Sequence, residues 1–165
     1  MSVSSTVSAS PMFSLGVTET INDSGLSNQP VMFGAHEVRP GNLSSTSTPP
    51  ITVNSQQVYA LVAGTLTIDL QAIITLASLT ADWTGKKLQA IRITNTSGNA
   101  ALTVSGEGAN GYSLGGAITL SAASGGAVTL CLYAPESLAD VASGDRYLVF
   151  TGTGTQTFYL DLIGG

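Results

Sequence analysis

Short runs of β-forming residues, separated by turn residues, constrain the fold of this chain more than any other feature. In the run 65–70, leucine and isoleucine alternate with threonine and aspartate, which is the period of a strand with one buried face. Comparable runs occupy 58–62, 88–94, 101–105, 117–120, 128–133, 147–150 and 157–163. No stretch has the apolar period of a long amphipathic helix. We therefore expect an all-β fold, either a β-sandwich with jelly-roll-like connections or a β-barrel.

Turn residues predict how the neighbouring strands connect. Ala63-Gly64 is expected to form a tight turn between the strands on either side of it. The segment 95–99, Asn-Thr-Ser-Gly-Asn, predicts a turn from which 101–105 returns alongside the preceding strand. The segment 152–154, Gly-Thr-Gly, predicts that the last two strands pair with each other around it.

The beginning of the chain differs in character from the rest. We expect an extended arm and irregular loops at 1–50 and a β-sandwich domain at 51–165. A first strand is predicted within 11–21, where apolar residues alternate with small or polar ones. The segment 22–50 is rich in turn residues and ends in a run of serine, threonine and proline. Loops of this length are uncommon in compact domains unless they have a function, so we expect the arm to reach a partner.

Charged and reactive side chains are scarce, which limits the functions that the chain can perform. Only 9% of the residues are charged, there is one histidine and one cysteine, and the net charge is −5. Most catalytic and metal sites are built from such side chains, so we predict no catalytic, cofactor-binding or metal-binding residue and no enzymatic activity. The five basic residues form no patch that could neutralise nucleic-acid phosphates or bind an anionic membrane. The first residues also lack the basic and apolar regions of a secretory signal.

Individual reactive residues are expected to have structural roles. Cys131 lies in a strand-like run and is predicted to be a small buried apolar residue rather than a nucleophile. His36 is predicted to be a surface or interface side chain, because one histidine makes no metal site without partners. Trp83 is expected to anchor a core or an interface rather than to bind a sugar. Asp140 and Asp145 flank a short loop, but this loop lacks the alternating oxygen ligands of a calcium-binding EF-hand.

The segment 106–111, Gly-Glu-Gly-Ala-Asn-Gly, has the glycine spacing of a dinucleotide-binding loop. In that fold a helix follows the loop, and its N-terminus binds the pyrophosphate. Here the loop is followed by Tyr112-Ser113-Leu114 and two glycines, without helical periodicity. We therefore interpret the segment as a glycine-rich loop between strands, with positive φ angles.

Three stretches of the second half resemble small β-rich structural proteins of tailed bacteriophages. The stretches are Lys-Leu-Gln-Ala-Ile-Arg-Ile-Thr-Asn-Thr at 87–96 with its continuation at 101–106, Gly-Ala-Val-Thr-Leu-Cys-Leu-Tyr-Ala-Pro at 126–135, and Tyr-Leu-Val-Phe-Thr-Gly-Thr-Gly-Thr at 147–155 with its closing strand at 160–164. In such proteins a strand pair is followed by a glycine-rich loop, a strand that ends in Ala-Pro and a terminal strand that ends in Ile-Gly. The resemblance covers approximately residues 58–165.

This resemblance implies a non-enzymatic virion component similar to head decoration, or cement, proteins. Such a protein is made in the host cytoplasm and is carried on the capsid surface, where it binds the lattice of the major capsid protein and stabilises it. A homotrimer is expected, because lattice three-fold positions are common docking points and closed symmetry is the norm. The alternatives are a neck, tail or fibre-associated virion subunit, or a carbohydrate-binding β-sandwich module, which would need exposed aromatic side chains.

Overall fold

The computed structural model describes residues 8–9, 17–19, 31–33, 43–44, 50–75, 80–106, 108–133 and 138–165. Their secondary structure consists of β-strands, which confirms the all-β prediction. In this part of the chain there is no helix that is long and apolar enough to span a membrane.

The residues described before position 50 form four short strands. They are β1 (Ser8–Ala9), β2 (Val17–Glu19), β3 (Val31–Phe33) and β4 (Leu43–Ser44). β1 pairs with β4, and β2 pairs with β3, both in antiparallel fashion. The sequence predicts a strand within 11–21. Of these residues the structure describes 17–19, which form β2, and the others lie outside the described residues.

After residue 50, the part of the chain that the structure describes contains ten further strands. They are β5 (Val53–Ala60), β6 (Thr65–Asp69), β7 (Ile73–Ile74), β8 (Thr80–Ala81), β9 (Leu88–Asn95), β10 (Leu102–Ser105), β11 (Ile118–Leu120), β12 (Val128–Tyr133), β13 (Tyr147–Thr151) and β14 (Thr157–Gly164). Eight of them form two antiparallel four-stranded sheets, which we call the first sheet (order β12-β9-β14-β5) and the second sheet (order β11-β10-β13-β6). β7 and β8 form a separate two-stranded ladder.

The two sheets form a sandwich that is not closed into a barrel, so of the two predicted architectures the barrel is wrong. Successive strands of the two sheets alternate between them, except for the neighbours β10 and β11. Eight strands with this order and this alternation have the connectivity of a jelly roll. The jelly-roll-like connections expected from the sequence are therefore present.

Both predicted strand pairings are wrong, although the turns themselves were placed correctly. β13 and β14 flank the turn at 152–154 but lie in different sheets, and so do β9 and β10. The reason is that each turn connects a strand of one sheet to a strand of the opposite sheet. β14 finds its partners far away in sequence, and it lies between β5 and β9.

The core lies between the sheets and consists of the alternate residues of each strand that face inward. Ile68 is buried while its neighbours Thr67 and Asp69 are more exposed, as the alternation in 65–70 predicted. Phe150 of β13 and Phe158 of β14 stack with their ring centroids 4.5 Å apart, which joins the two sheets. The largest fully buried side chains are Trp83, Tyr112, Phe150, Phe158, Leu61, Leu70, Ile73, Leu88, Ile93, Leu102, Leu148 and Leu160.

Candidate interaction surface

The loops of the sandwich divide into two ends that differ in charge. One end, which we call the neutral end, is formed by the loops 61–64, 96–101, 121–127 and 152–156, and none of these loops contains a charged residue. The opposite end, the charged end, carries nearly all charged residues among the described part of the sandwich. These are Asp69, Asp82, Lys86, Lys87, Asp140, Asp145 and Arg146.

Backbone hydrogen bonds between loops fix the shape of the neutral end. The N–H of Gly64 donates to the carbonyl of Gly154 at 2.7 Å, and the carbonyl of Gly64 accepts from Gly152 at 2.9 Å. In the neighbouring pair of loops, the N–H of Ala123 donates to the carbonyl of Asn99 at 2.9 Å. These bonds connect loops that are far apart in sequence, so the neutral end presents a pre-organised surface.

The buried side chain of Asn95 forms further hydrogen bonds to two of these loops. Its Nδ2 donates to the carbonyls of Ala100 and Ser121, at 2.8 and 3.1 Å, and its Oδ1 accepts from Asn99 at 3.1 Å. Asn95 is 0% exposed, and a buried amide with these partners avoids the cost of unsatisfied polar atoms. One side chain therefore joins two loops of the neutral end.

An apolar patch lies where the outer face of the first sheet meets the neutral end. Val58 and Tyr159 are paired across β5 and β14, and they are 57% and 50% exposed. Ala60 is exposed on the same face of β5, and Val62 in the following turn is 71% exposed. We call Val58, Ala60, Val62 and Tyr159 the apolar corner.

The register of β5 explains why these residues face outward. Tyr59 packs its ring against Phe158 of the core, with a centroid distance of 5.9 Å. Side chains of a strand alternate between the two faces, so Val58 and Ala60 must point to the other side. The burial of Tyr59 against Phe158 therefore determines that the apolar corner is on the surface.

The rest of the outer face of the first sheet has almost no net charge. Arg92 of β9 forms an ion pair with Asp161 of β14 across the two central strands, and their side chains are 56% and 17% exposed. Beside this pair, the hydroxyls of Thr94 and Thr129 lie 3.0 Å apart across β9 and β12. The opposite charges cancel locally, and the other outward-facing residues, which include Gln56, Thr94, Thr129 and Cys131, are uncharged.

The outer face of the second sheet carries a row of threonines. Thr119, Thr103, Thr151 and Thr65 are register partners in turn across all four strands. The hydroxyls of Thr103 and Thr119 lie 2.8 Å apart, and three of the four residues are exposed. This face is therefore covered by small neutral hydroxyl groups.

At the charged end, four of the charged side chains form two ion pairs. Arg146 forms a bidentate ion pair with Asp69, and the guanidinium also lies 4.9 Å from the ring centroid of Tyr147. The hydrogen bond from Arg146 is the main cause that lowers the pKa of Asp69, and the same bond raises the pKa of Arg146. Lys87 and Asp140 form a second ion pair, at 3.4 Å. These contacts are those of structural ion pairs on a surface.

The structure places the residues that the sequence singled out as follows. Trp83 is 0% exposed, which confirms that it packs in the core. The prediction for Cys131 is wrong, because this residue is exposed. Cys131 is the register partner of Arg92 on the outer face of the first sheet, whereas Leu130 and Leu132 of the same strand pack against the core. His36 lies outside the described residues.

The described residues of the glycine-rich segment, Gly106 and 108–111, lie in a loop between β10 and β11, as predicted. Gly108 and Asn110 have φ angles of 100° and 63°, which lie in the left-handed region. The carbonyl of Asn110 accepts from the N–H groups of Arg146 and Tyr147, at 2.9 and 3.0 Å, so the loop is tied to the start of β13. Within the described ranges, no three His, Cys, Asp or Glu side chains are grouped so that they could hold a metal ion.

The apolar corner is the feature that the sequence did not predict. The run 58–62, Val-Tyr-Ala-Leu-Val, is apolar at both parities, so alternation alone does not say which side chains face the core. The missing information is the pairing of β5 with β14, which sets Tyr59 opposite Phe158. A signal for this pairing would have to come from residues about a hundred positions apart in the chain.

Comparisons of this chain with protein-family models, with curated proteins and with solved structures found no match.

Proposed function

We propose that this protein is a non-enzymatic structural component of a tailed-bacteriophage virion, a decoration or cement protein that binds the lattice of the major capsid protein and stabilises the head. In this proposal it acts on the capsid surface after synthesis in the host cytoplasm, as a homo-oligomer, with a trimer as the expected form. The observation that carries the proposal is a jelly-roll body whose neutral end and sheet faces offer contact surface without net charge.

Fold and surface support this proposal in different ways. The jelly roll is common among viral capsid domains, which is an argument from analogy of fold and not from a site. The neutral surfaces are the stronger argument, because a surface of hydroxyl, glycine and small apolar groups loses little solvation when a neighbour covers it. Contacts of this kind are individually weak, and repetition over a symmetric lattice makes them effective.

The structure gives less support to a carbohydrate-binding module. Jelly rolls also occur in lectins, which stack sugars on exposed aromatic rings. Trp83 and Tyr112 are both 0% exposed and pack in the core. Tyr159 is half exposed, but it is paired with Val58 and belongs to an apolar patch. The aromatic side chains that the structure describes are thus used mainly for packing.

Cryo-electron microscopy of particles from the lysate that contains this protein tests the proposal. We expect density for the sandwich at three-fold or quasi-three-fold positions of the head lattice. Density at the tail vertex alone would replace the proposal by the neck, tail or fibre alternative. A protein that remains free of particles would contradict every virion role. Heads with and without the bound protein should also differ in their thermal release of DNA, with the decorated heads being more resistant.

A further inference from the structure

Exposed large apolar side chains are concentrated at one place on the described sandwich. Val58, Val62 and Tyr159 are the large hydrophobic residues that are exposed among the described residues, and all three belong to the apolar corner. Single exposed apolar residues are ordinary, but a contiguous group at the border of a neutral, pre-organised end is typical of an interaction surface.

The strand that carries Val58 and Ala60 of the corner, β5, is also an edge strand. Among the described strands, β5 pairs only with β14, so its other side is an edge of the first sheet. The first half of this edge is held by side chains that reach β7 and the residue after it: Ser55 Oγ donates to the Ile74 carbonyl at 2.5 Å, and Gln57 Nε2 donates to the Thr75 carbonyl at 3.1 Å. The second half, 58–60, is where the apolar corner begins. Proteins commonly cover or protect an edge of this kind, and a neighbouring molecule is one way to cover it.

The distribution of charged residues indicates which kind of partner can bind at the apolar corner. The chain has a net charge of −5, so two copies repel each other unless they meet where no charge lies. The apolar corner and the neutral end contain no charged residue, and Arg92 and Asp161 on the adjoining face neutralise each other. The charged end is one strand length away, about 25 Å for eight residues, which is about three Debye lengths at physiological salt. A nucleic acid, an anionic membrane or a strongly charged protein would find no complementary charge at the corner.

The area of a standard interface indicates that a contact between copies extends beyond the apolar corner. A standard interface buries about 800 Å² on each partner, which is more than four side chains provide. The uncharged loops of the neutral end adjoin the corner and can enlarge the contact without adding like charges. In a symmetric assembly the same residues of each copy meet around the axis, so one neutral patch serves every subunit.

We propose that the apolar corner, Val58, Ala60, Val62 and Tyr159, is the surface through which copies of this chain contact each other, corner against corner around a symmetry axis. The inference rests on the proposed function, since it assigns the contact surface of the oligomer that this function uses. It predicts that the corner is covered in the assembled protein and that the charged ends point away from the contact.

Complementary charge variants test this contact with the full-length protein. Val58→Glu/Val62→Glu and Val58→Lys/Val62→Lys each place like charges against each other, and we expect sedimentation velocity to give the monomer mass of 16.7 kDa for both variants, against a larger mass for the unaltered chain. Mixing the two variants should restore association at least to mixed dimers, because opposite charges then face each other, whereas a ring of three always keeps one contact between like-charged subunits. Thr67→Glu/Thr119→Glu, on the exposed outer face of the second sheet, is the matched control and should associate like the unaltered chain.

Circular dichroism and the urea midpoint of each variant show whether it has folded. An unaltered chain that stays at 16.7 kDa at every concentration would overturn the inference, and so would folded corner variants that associate normally or a mixture that stays monomeric. Particle binding is measured separately. A monomeric chain that still binds heads would overturn the inference but would not contradict the proposed function. An oligomer that depends on the corner but binds no particle would support the inference and contradict the proposed function.

Discussion

The rings of Phe150 and Phe158 stack with a centroid distance of 4.5 Å, and this contact joins the second sheet to the first. Both side chains are 0% exposed, and Phe158 also packs against Tyr59. The two phenylalanines are eight residues apart in the chain, on either side of the turn at 152–154. A local connection thus places two large rings face to face from opposite sheets.

Replacing Phe158 with alanine should therefore destabilise the sandwich strongly. We expect a loss of about 3–5 kcal/mol in the free energy of unfolding, because the change removes a buried ring and leaves a cavity between the sheets. Urea denaturation followed by circular dichroism measures this loss. Thr157→Ala, one residue earlier on the exposed face of β14, is the control and should cost less than about 1 kcal/mol. Equal losses for the two variants would contradict the central position of Phe158 in the core.

Tyr112 provides a prediction about pH. Its hydroxyl donates to the Ala139 carbonyl at 2.5 Å and accepts from the N–H of Leu88 at 3.3 Å, and burial raises its pKa to about 12. The unfolded chain ionises this phenol near pH 10. The stabilisation is therefore complete below about pH 10 and is lost as the pH rises toward 12, with a total on the order of 3 kcal/mol.

The comparison of the unaltered protein with Tyr112→Phe isolates this effect from the other tyrosines. The free energy of unfolding should fall more steeply between about pH 10 and 12 for the unaltered protein than for the variant, whose residue 112 cannot ionise. Below pH 9, Tyr112→Phe should be destabilised by about 1–2 kcal/mol, since it leaves the Ala139 carbonyl without its donor. Parallel pH profiles for the two proteins would show that Tyr112 is not the group responsible.

Asp69 and Arg146 make the opposite prediction, at low pH. The pKa of Asp69 is lowered, chiefly by the hydrogen bond from Arg146. Its contribution is therefore present above the ordinary aspartate pKa and is lost as the pH falls through the lowered value. Because the pair is partly exposed, we expect Asp69→Asn to cost no more than about 1 kcal/mol at pH 7.

Thermal unfolding of Asp69→Asn at pH 7 and pH 3 measures this contribution. The difference from the unaltered protein should shrink at pH 3, and it should also shrink at pH 7 in high salt. Asp145→Asn makes the same change of charge at the same end of the sandwich, and it is the control for a general effect of net charge. A difference that is the same at both pH values would rule out the ion pair as its source.

The strands were predictable from the sequence because alternation is a local property. The run 88–94 gave β9 (Leu88–Asn95) to within one residue, with Ile91 and Ile93 facing the core and Arg92 facing outward. The turn at Ala63-Gly64 was also predicted, and both residues have positive φ there, 51° and 84°. Turn residues, however, specify only that the chain reverses. Whether the next strand pairs with the last one or crosses to the other sheet depends on contacts with strands that are distant in sequence.

The surface could be predicted only in part, for the same reason. In β12, Thr129 and Cys131 share one parity and the large apolar residues share the other, so a strict use of alternation would have placed Cys131 outside. The prediction that it is buried followed composition instead, since cysteine is usually buried. The apolar corner carries no such signal, because its run is apolar on both faces and its exposure is decided by the pairing with β14.

The exposed position of Cys131 leads to a direct chemical prediction. A water-soluble maleimide should modify one thiol per folded chain without denaturant, because Cys131 is the only cysteine and lies on the outer face of the first sheet. β12 and β5 are the opposite edge strands of this sheet, so a contact through the apolar corner should not protect the thiol. Labelling that requires urea would mean that the thiol is covered in the folded protein.

A close backbone approach at Gly106 allows a sharper test of the packing. A Cβ atom at this position would lie 1.7 Å from the carbonyl oxygen of Tyr112, a backbone atom that cannot move aside without displacing the buried tyrosine. Gly106→Ala should therefore cost more than about 2 kcal/mol of the free energy of unfolding, as overpacking against backbone does. At Gly125 the same added atom meets no atom within 4 Å, so Gly125→Ala should be neutral within about 0.5 kcal/mol. Both values come from urea denaturation, and a Gly106→Ala protein as stable as Gly125→Ala would show that Gly106 does not pack on Tyr112 as described.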